Sequence, residues 1–259
     1  MPFFVENGMG KVIVMPSKVK KTTLSDKTIQ LCERLERLDS AAVSDVFDAM
    51  GLPNQILSTH IRPIVPNIKV AGPAFCIRGM TSAGSVVPPP AGKFNPAFEI
   101  DRAIYHGCVA VIETGRHKEG AIIGGNVALS YKLRGCRGAV VDGGVRDIQE
   151  LTDIDFRTFA ASTTPMSSKG RWSFVDYEIP IAMPGHYANW VRINPGDLIL
   201  ADPDGIAVIP KDISEFVVSA AEEIVRVEQL IKEELRAGAD REEVYGRHDT
   251  RAHIKSLGS

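Results

Sequence analysis

Long apolar runs are missing from this 259-residue chain. No stretch approaches the roughly 18 apolar residues that a membrane-spanning helix needs, so no membrane partner is expected. The start, Met1-Pro-Phe-Phe-Val-Glu6, lacks a basic region followed by a long apolar one. The expectation is therefore no signal peptide and a cytoplasmic protein. An excess of one charge is missing too: 30 Lys and Arg stand against 32 Asp and Glu, a net charge of −2. That balance argues against a nucleic-acid-binding surface, and nucleic acid is not expected as a partner. Cysteine is scarce. Cys32, Cys76, Cys108 and Cys136 are widely spaced with no CxxC, which reads as buried, reduced thiols. His106, His117 and His186 form no HxH or HExxH spacing and read as surface or helix-end residues. No internal repeat is found.

What is present supports a full core: 44% of the residues are hydrophobic. Residues 1–39 read as an N-terminal arm, with Ser25-Asp26 capping a helix that carries Leu31, Leu35 and Leu38 on one face. Residues 40–259 read as the main domain. A helix over 41–50 ends at Gly51. A strand covers 67–82, and a loop covers 83–96 with Pro88-Pro89-Pro90. Asn95-Pro96 then caps and starts a helix that ends near Gly107. Helix and strand alternate over 95–160, the α/β pattern. Short strands follow at Ile179–Ala182, Trp190–Ile193, Asp197–Ala201 and Ile206–Ile209. A charged helix over 212–236 carries a stripe of Phe216, Ala220, Ile224, Val227 and Ile231. That stripe suits either its own core or another subunit. Lys169-Gly-Arg171-Trp172 reads as a solvated hairpin tip, with a phosphate-binding or partner loop as the alternative, and Asp202 and Asp204 as turn residues.

The chemistry gathers in residues 124–150, GGNVALSYKLRGCRGAVVDGGVRDIQE. Gly124-Gly125-Asn126 precede a helical stretch, Val127–Arg134, closed by Gly135. The exposed N–H groups of such a helix start bind anions. Gly138–Asp142 reads as a buried strand that Gly143-Gly144 breaks. Arg146, Asp147 and Glu150 follow where a helix can begin. Arg grips a carboxylate with a planar fork. Asp147 and Glu150 are three apart and would share a helical face. Two oxygen ligands plus waters suit Mg2+ or Mn2+ better than Zn2+. Beside a 2-oxo acid, such an ion would stabilise an enolate. A purely structural role also fits these residues: a capped helix with an Arg146–Glu150 pair.

This stretch resembles the signature of the RraA-like family, which includes class II 4-hydroxy-4-methyl-2-oxoglutarate / 4-carboxy-4-hydroxy-2-oxoadipate aldolases and regulators of ribonuclease activity. Aldolase members carry Asp or Glu, twenty residues, then Arg-Asp. Here Gly125 is followed by twenty residues, Arg146-Asp147, two more, and Glu150. Ser44-Asp45-Val-Phe-Asp48, Val70-Ala-Gly-Pro-Ala74, Asn194-Pro-Gly-Asp197 and Asp202-Pro-Asp-Gly-Ile206 extend the likeness over roughly residues 40–250. The resemblance implies a β/β/α swivelling-domain fold in a homotrimer or hexamer. It implies that Arg146 holds the substrate carboxylate or enolate and that Asp147 binds Mg2+ or Mn2+, partly through waters. The backbone at Gly125, Asn126, Val127 and Ala128 would bind the pyruvyl group. Glu228, or less well Glu223, would reach the site from a neighbouring subunit. Gly125 stands where aldolases have an acid, as in the regulator members, and Glu150 is the carboxylate that could replace it. The expected function is metal-dependent retro-aldol cleavage or decarboxylation of a 2-oxo acid through a pyruvate enolate. A non-catalytic regulator that binds a ribonuclease, and a metal-dependent isomerase or hydrolase, stay open.

Overall fold

The computed structural model describes residues 3–6, 12–15, 22–82 and 96–254. The Pro88–Pro90 loop and the Asn95 cap expected from sequence lie outside them. β1 (Phe3–Glu6) and β2 (Val12–Met15) pair antiparallel. α1 (Asp26–Glu36) begins at Ser25, whose Oγ accepts the Thr28 N–H at 3.2 Å. α2 (Ser40–Met50) begins at Asp39, which accepts from Ala42 N, and stops at Gly51 with φ 77°. A left-handed stop of this kind favours glycine.

Then come β3 (Arg62–Pro63), β4 (Val70–Thr81), α3 (Pro96–Ala103), β5 (Val109–Glu113), β6 (Ala121–Ile123), α4 (Gly125–Leu133), β7 (Gly138–Val145), α5 (Ile148–Asp153) and β8 (Arg157–Thr163). β9 (Trp172–Tyr177), β10 (Ile181–Pro184), β11 (Trp190–Ile193), β12 (Leu198–Ala201) and β13 (Ile206–Ile209) follow, with α6 (Ser214–Arg236) and α7 (Arg241–Arg247) last. The main sheet runs β13-β12-β4-β5-β7-β8-β3, with β6 on β7 and β9 on β4. Its centre, β4-β5-β7-β8, is parallel. Parallel centres are covered on both faces, so these strands read as unbroken apolar runs. β4 shows how the covers divide. Side chains alternate across a strand. Val70, Ala74 and Cys76 face the β10–β11 hairpin. Phe75 and Ile77 pack with α3 and α4, and Ala71 packs with α1, α2 and α6. Leu31, Cys32 and Leu35 of α1 are buried in that last cluster, so residues 26–36 belong to the core.

Four local expectations change. β7 runs through Gly143-Gly144 instead of stopping there. A Cβ at Gly143 would meet the Thr114 side chain at 3.0 Å, and one at Gly144 would meet Gly120 O at 3.1 Å. These glycines serve close packing within a bulged strand, not a turn. Phe216 is 46% exposed, off the buried stripe of α6. His117, expected at the surface, is 2% exposed. Asp202 is buried and does more than turn a chain: it accepts Ser40 N at 2.6 Å and Ser40 Oγ at 2.7 Å, tying α2 to the β12–β13 turn. The four cysteines are free and buried, as expected. Burial pushes the Cys32 thiol up to about 11, which suits an inert thiol. Among the described residues no helix is long and apolar enough to cross a membrane.

Candidate active site

Parallel strands end on one edge of the sheet, and the chain leaves β6 and β7 there. β6 delivers Gly124 and Gly125 to the start of α4, and β7 delivers Arg146 and Asp147 beside them. The Arg146 N–H donates to Ile123 O at 3.0 Å, which fixes the two exits together. Gly124 is extended and supplies no side-chain cap. The cap comes from 22 residues away: Asp147 Oδ2 accepts the Gly125 N–H at 2.9 Å. Arg146 Nε lies 3.5 Å from the same oxygen. Both side chains keep partial solvent exposure, 40% and 36%.

Asp147 reaches α4 because its own backbone turns left-handed, at φ 60°. This is uncommon for a residue with a side chain, though Asp tolerates it better than most. The conformation corrects two sequence readings. Asp147 stands outside α5 and does not share a regular helical face with Glu150; it also makes no side-chain cap on α5. Arg146 pairs with Asp147, and no Arg146–Glu150 ion pair forms among the described residues. The simple capped helix is therefore not what these residues build.

Glu150 still converges on the start of α4. A Cβ at Gly125 would lie 1.8 Å from Glu150 Oε2. The carboxylate thus fills the space that a side chain at 125 would occupy. Gly124 is constrained likewise: its Cβ would lie 2.6 Å from Asp147 Oδ2 and 3.0 Å from Arg146 Nε. Both glycines make room for charged groups.

A cavity of 230 Å³ lies over this junction, lined in part by Gly124, Asn126, Val127, Arg146, Asp147 and Lys169. The N–H groups of Asn126 and Val127 fall in the first turn of α4, where no intrahelical acceptor exists. The Ala128 N–H is already taken by Gly124 O at 3.0 Å, and the residue is fully buried. The amides left for an anion are therefore those of Asn126 and Val127. Lys169 is the residue that sequence reading set aside as a hairpin tip. The turn between β8 and β9 brings it to the cavity with Ser167 and Ser168. Hydrogen bonds from Ala121 N–H to Met166 O at 2.8 Å and from Ser168 N–H to Ala121 O at 3.3 Å hold this turn against β6. Glu228 does not line the cavity; it sits on α6 and pairs with Lys232 at 2.9 Å. Glu223 pairs with Arg226 at 2.7 Å.

The donor set suits one kind of metal. Asp147 engages its neighbours through Oδ2, which leaves Oδ1 for a cation. Among the described residues no group of three His, Cys, Asp or Glu gathers. An ion here would keep most of its waters, which Mg2+ does and Zn2+ in closed sites does not.

The chain is similar to protein DlpA of Legionella pneumophila, 29% identical over 234 residues; the match covers 88% of this chain and 35% of DlpA. The chain thus spans about a third of that relative. It is 31% identical over 105 residues to the 4-hydroxy-4-methyl-2-oxoglutarate aldolase of Thermus thermophilus, covering 40% of this chain and 60% of that protein. The solved structure of Streptomyces coelicolor RraAS2, described as an unusual member of the RNase ES inhibitor RraA protein family, superposes with a TM-score of 0.66 at 21% identity. It covers 82% of this chain and 98% of that one, and shows a shared fold. The Aldolase/RraA family model matches residues 40–208, which span the sheet centre and the whole Gly124–Glu150 junction, and the chain belongs to the RraA-like family.

Proposed function

We propose that this protein is a divalent-metal-dependent carbon–carbon lyase that releases pyruvate from a 2-oxo acid. The observation that carries the reading is the meeting of Arg146 and Asp147, which line a cavity of 230 Å³, with Glu150 at the first turn of α4. That volume suits a small acid rather than a polymer.

The residues divide the work. Arg146 takes the substrate carboxylate with its planar fork. The Asn126 and Val127 amides add donors to the same oxygens. Lys169, across the cavity, suits a second carboxylate on the leaving part. Asp147, with waters, would hold Mg2+ or Mn2+, and such an ion would supply Lewis-acid stabilisation of developing negative charge on the substrate. In retro-aldol cleavage the C4 hydroxyl gives up its proton and the C3–C4 bond breaks. The bond electrons pass into the C2 carbonyl, and C3 of the enolate then takes a proton to give pyruvate. Glu150 is the base for the hydroxyl proton, in place of the acid that aldolases carry at position 125. Glu228 of a neighbouring copy in a homotrimer or hexamer completes the site. The compartment proposed is the cytoplasm.

The test is pyruvate release from 4-hydroxy-4-methyl-2-oxoglutarate and from oxaloacetate. Turnover should vanish after chelation, return with Mg2+ or Mn2+, and be abolished in Asp147→Ala. Full turnover by protein shown metal-free by elemental analysis would sink the mechanism. No pyruvate from either acid, with tight binding to a ribonuclease, would move the protein to the regulator class.

A further inference from the structure

A second cavity, of 660 Å³, lies between the Arg116–Lys118 turn, Asp142 and Gly143 of β7, and the turn joining β10 to β11. It shares no lining residue with the cavity at Arg146. Its volume is in the range of small-molecule sites. Its charges are uneven: Arg116 and Lys118 line it against the single carboxylate of Asp142.

Two of its lining residues are buried and incompletely bonded. Asp142 is 6% exposed; Oδ1 accepts the Thr114 N–H at 2.6 Å, and Oδ2 is buried with no partner among the described residues. Burial pushes this carboxyl up from its ordinary value, against the Thr114 and Arg116 groups that favour its charged form, and no hydrogen bond among the described residues closes on Oδ2. His117 is 2% exposed; Nδ1 lies 3.1 Å from Thr81 Oγ1, and Nε2 is buried with no partner among the described residues. Buried polar atoms are normally paired, so each such exception asks for an explanation. A trapped water satisfies atoms of this kind in many proteins. It does not account for the cations beside them. Arg116 is set by its surroundings: its backbone is left-handed at φ 62°, and its guanidinium lies 4.5 Å from the Trp190 ring centroid. A non-glycine residue seldom holds that conformation. Stacking on Trp190 leaves the N–H fork free for an anion.

We propose that this cavity is a second ligand site, for a small hydroxylated organic anion. Its carboxylate or phosphate head meets Arg116 and Lys118, and a hydroxyl meets Asp142 Oδ2 and His117 Nε2. The site stands apart from the lyase reading and does not rest on it.

Calorimetric titration of the full chain tests the idea with two probes, gluconate and glucose 6-phosphate, which carry the two kinds of head. Glucose and acetate are the controls, each lacking one half of the recognised chemistry. At least one anionic probe should bind the wild type and Arg146→Ala equally well. The double variant Arg116→Ala/Lys118→Ala should bind it about tenfold more weakly or worse, as loss of charge-assisted hydrogen bonds predicts. Which probe binds identifies the head group. The proposal falls if neither anionic probe binds, or if glucose or acetate binds as tightly. It also falls if Arg146→Ala abolishes binding, or if the double variant leaves it unchanged. Loss in Arg146→Ala alone would assign the anion to the lyase site, so the two readings fail separately.

Discussion

Glu150 and Gly125 compete for one volume. A Cβ at 125 would sit 1.8 Å from Glu150 Oε2, the mobile end of a side chain that can swing away. Under the proposed function the two positions are alternative sources of one carboxylate. Proton transfer by such a group is worth roughly 10²- to 10⁴-fold, so Glu150→Gln should lose about that much pyruvate release. Gly125→Asp alone should do little or harm, because it displaces a working carboxylate. Gly125→Asp in the Glu150→Gln background should recover much of the loss. A double variant as inactive as Glu150→Gln would show that Glu150 is not the substitute. Arg146 is tested differently. A point charge cannot replace a fork, so Arg146→Lys should weaken competitive inhibition by pyruvate about ten- to a hundredfold. An unchanged inhibition constant would leave Arg146 only its contact with Asp147.

At the level of elements, Glu178 joins the end of β9 to β4. Its N–H donates to Cys76 O at 2.7 Å, and its carboxylate accepts the Cys76 N–H at 3.3 Å. Burial pushes its carboxyl up from 4.5 to about 7. The sign follows from linkage. The folded state holds a proton that the unfolded chain has already released, so stability falls as pH rises from about 4.5 to 7. At 1.36 kcal/mol per pH unit the full penalty is about 3 kcal/mol as an upper bound. Glu178→Gln should flatten this slope and raise the urea midpoint at pH 8 while leaving pH 4 nearly unchanged. Equal slopes in variant and wild type would refute it. Sequence reading missed β9, and the reason is physical. Trp172–Tyr177 is mostly half-buried, so it shows no clean alternation. The parallel strands and α4 were legible because burial on both faces leaves unbroken apolar runs, and because Gly135, at φ 85°, marks the end of the helix. Gly143-Gly144 misled because glycine signals a turn and a close contact with the same letter. Arg146, Asp147 and Gly125 stood out as candidates through the family resemblance, and the structure brings the three together at the start of α4. The Lys169 stretch was legible as a candidate phosphate-binding or partner loop, but its place at this cavity depends on the contacts of Ala121 with Met166 and Ser168, which sequence does not show.

At the scale of the whole molecule, the single chain leaves apolar surface uncovered. Leu129 and Leu133 of α4 are 43% and 77% exposed, and Phe98 of α3 is 59% exposed. The two leucines are four apart and share a helical face. α4 is also the helix whose start lines the cavity at Arg146, so a second copy seated on it would border that cavity. The arrangement proposed is a closed ring in which each site borrows Glu228 from the next subunit, a heterologous contact repeated by rotation. Sedimentation should give a trimer or a multiple of it. The stronger test is complementation. Arg146→Ala spoils the site that a chain builds, and Glu228→Gln spoils the one it lends to its neighbour. Each variant alone should be nearly inactive. When the two are unfolded together and refolded one to one, chance pairing should leave about a quarter of the sites with both groups intact. Pyruvate release near that fraction of wild type would require the site to be shared between subunits. A mixture no more active than the two variants refolded apart would place Glu228 outside the chemistry and leave its pairing with Lys232 as its whole role.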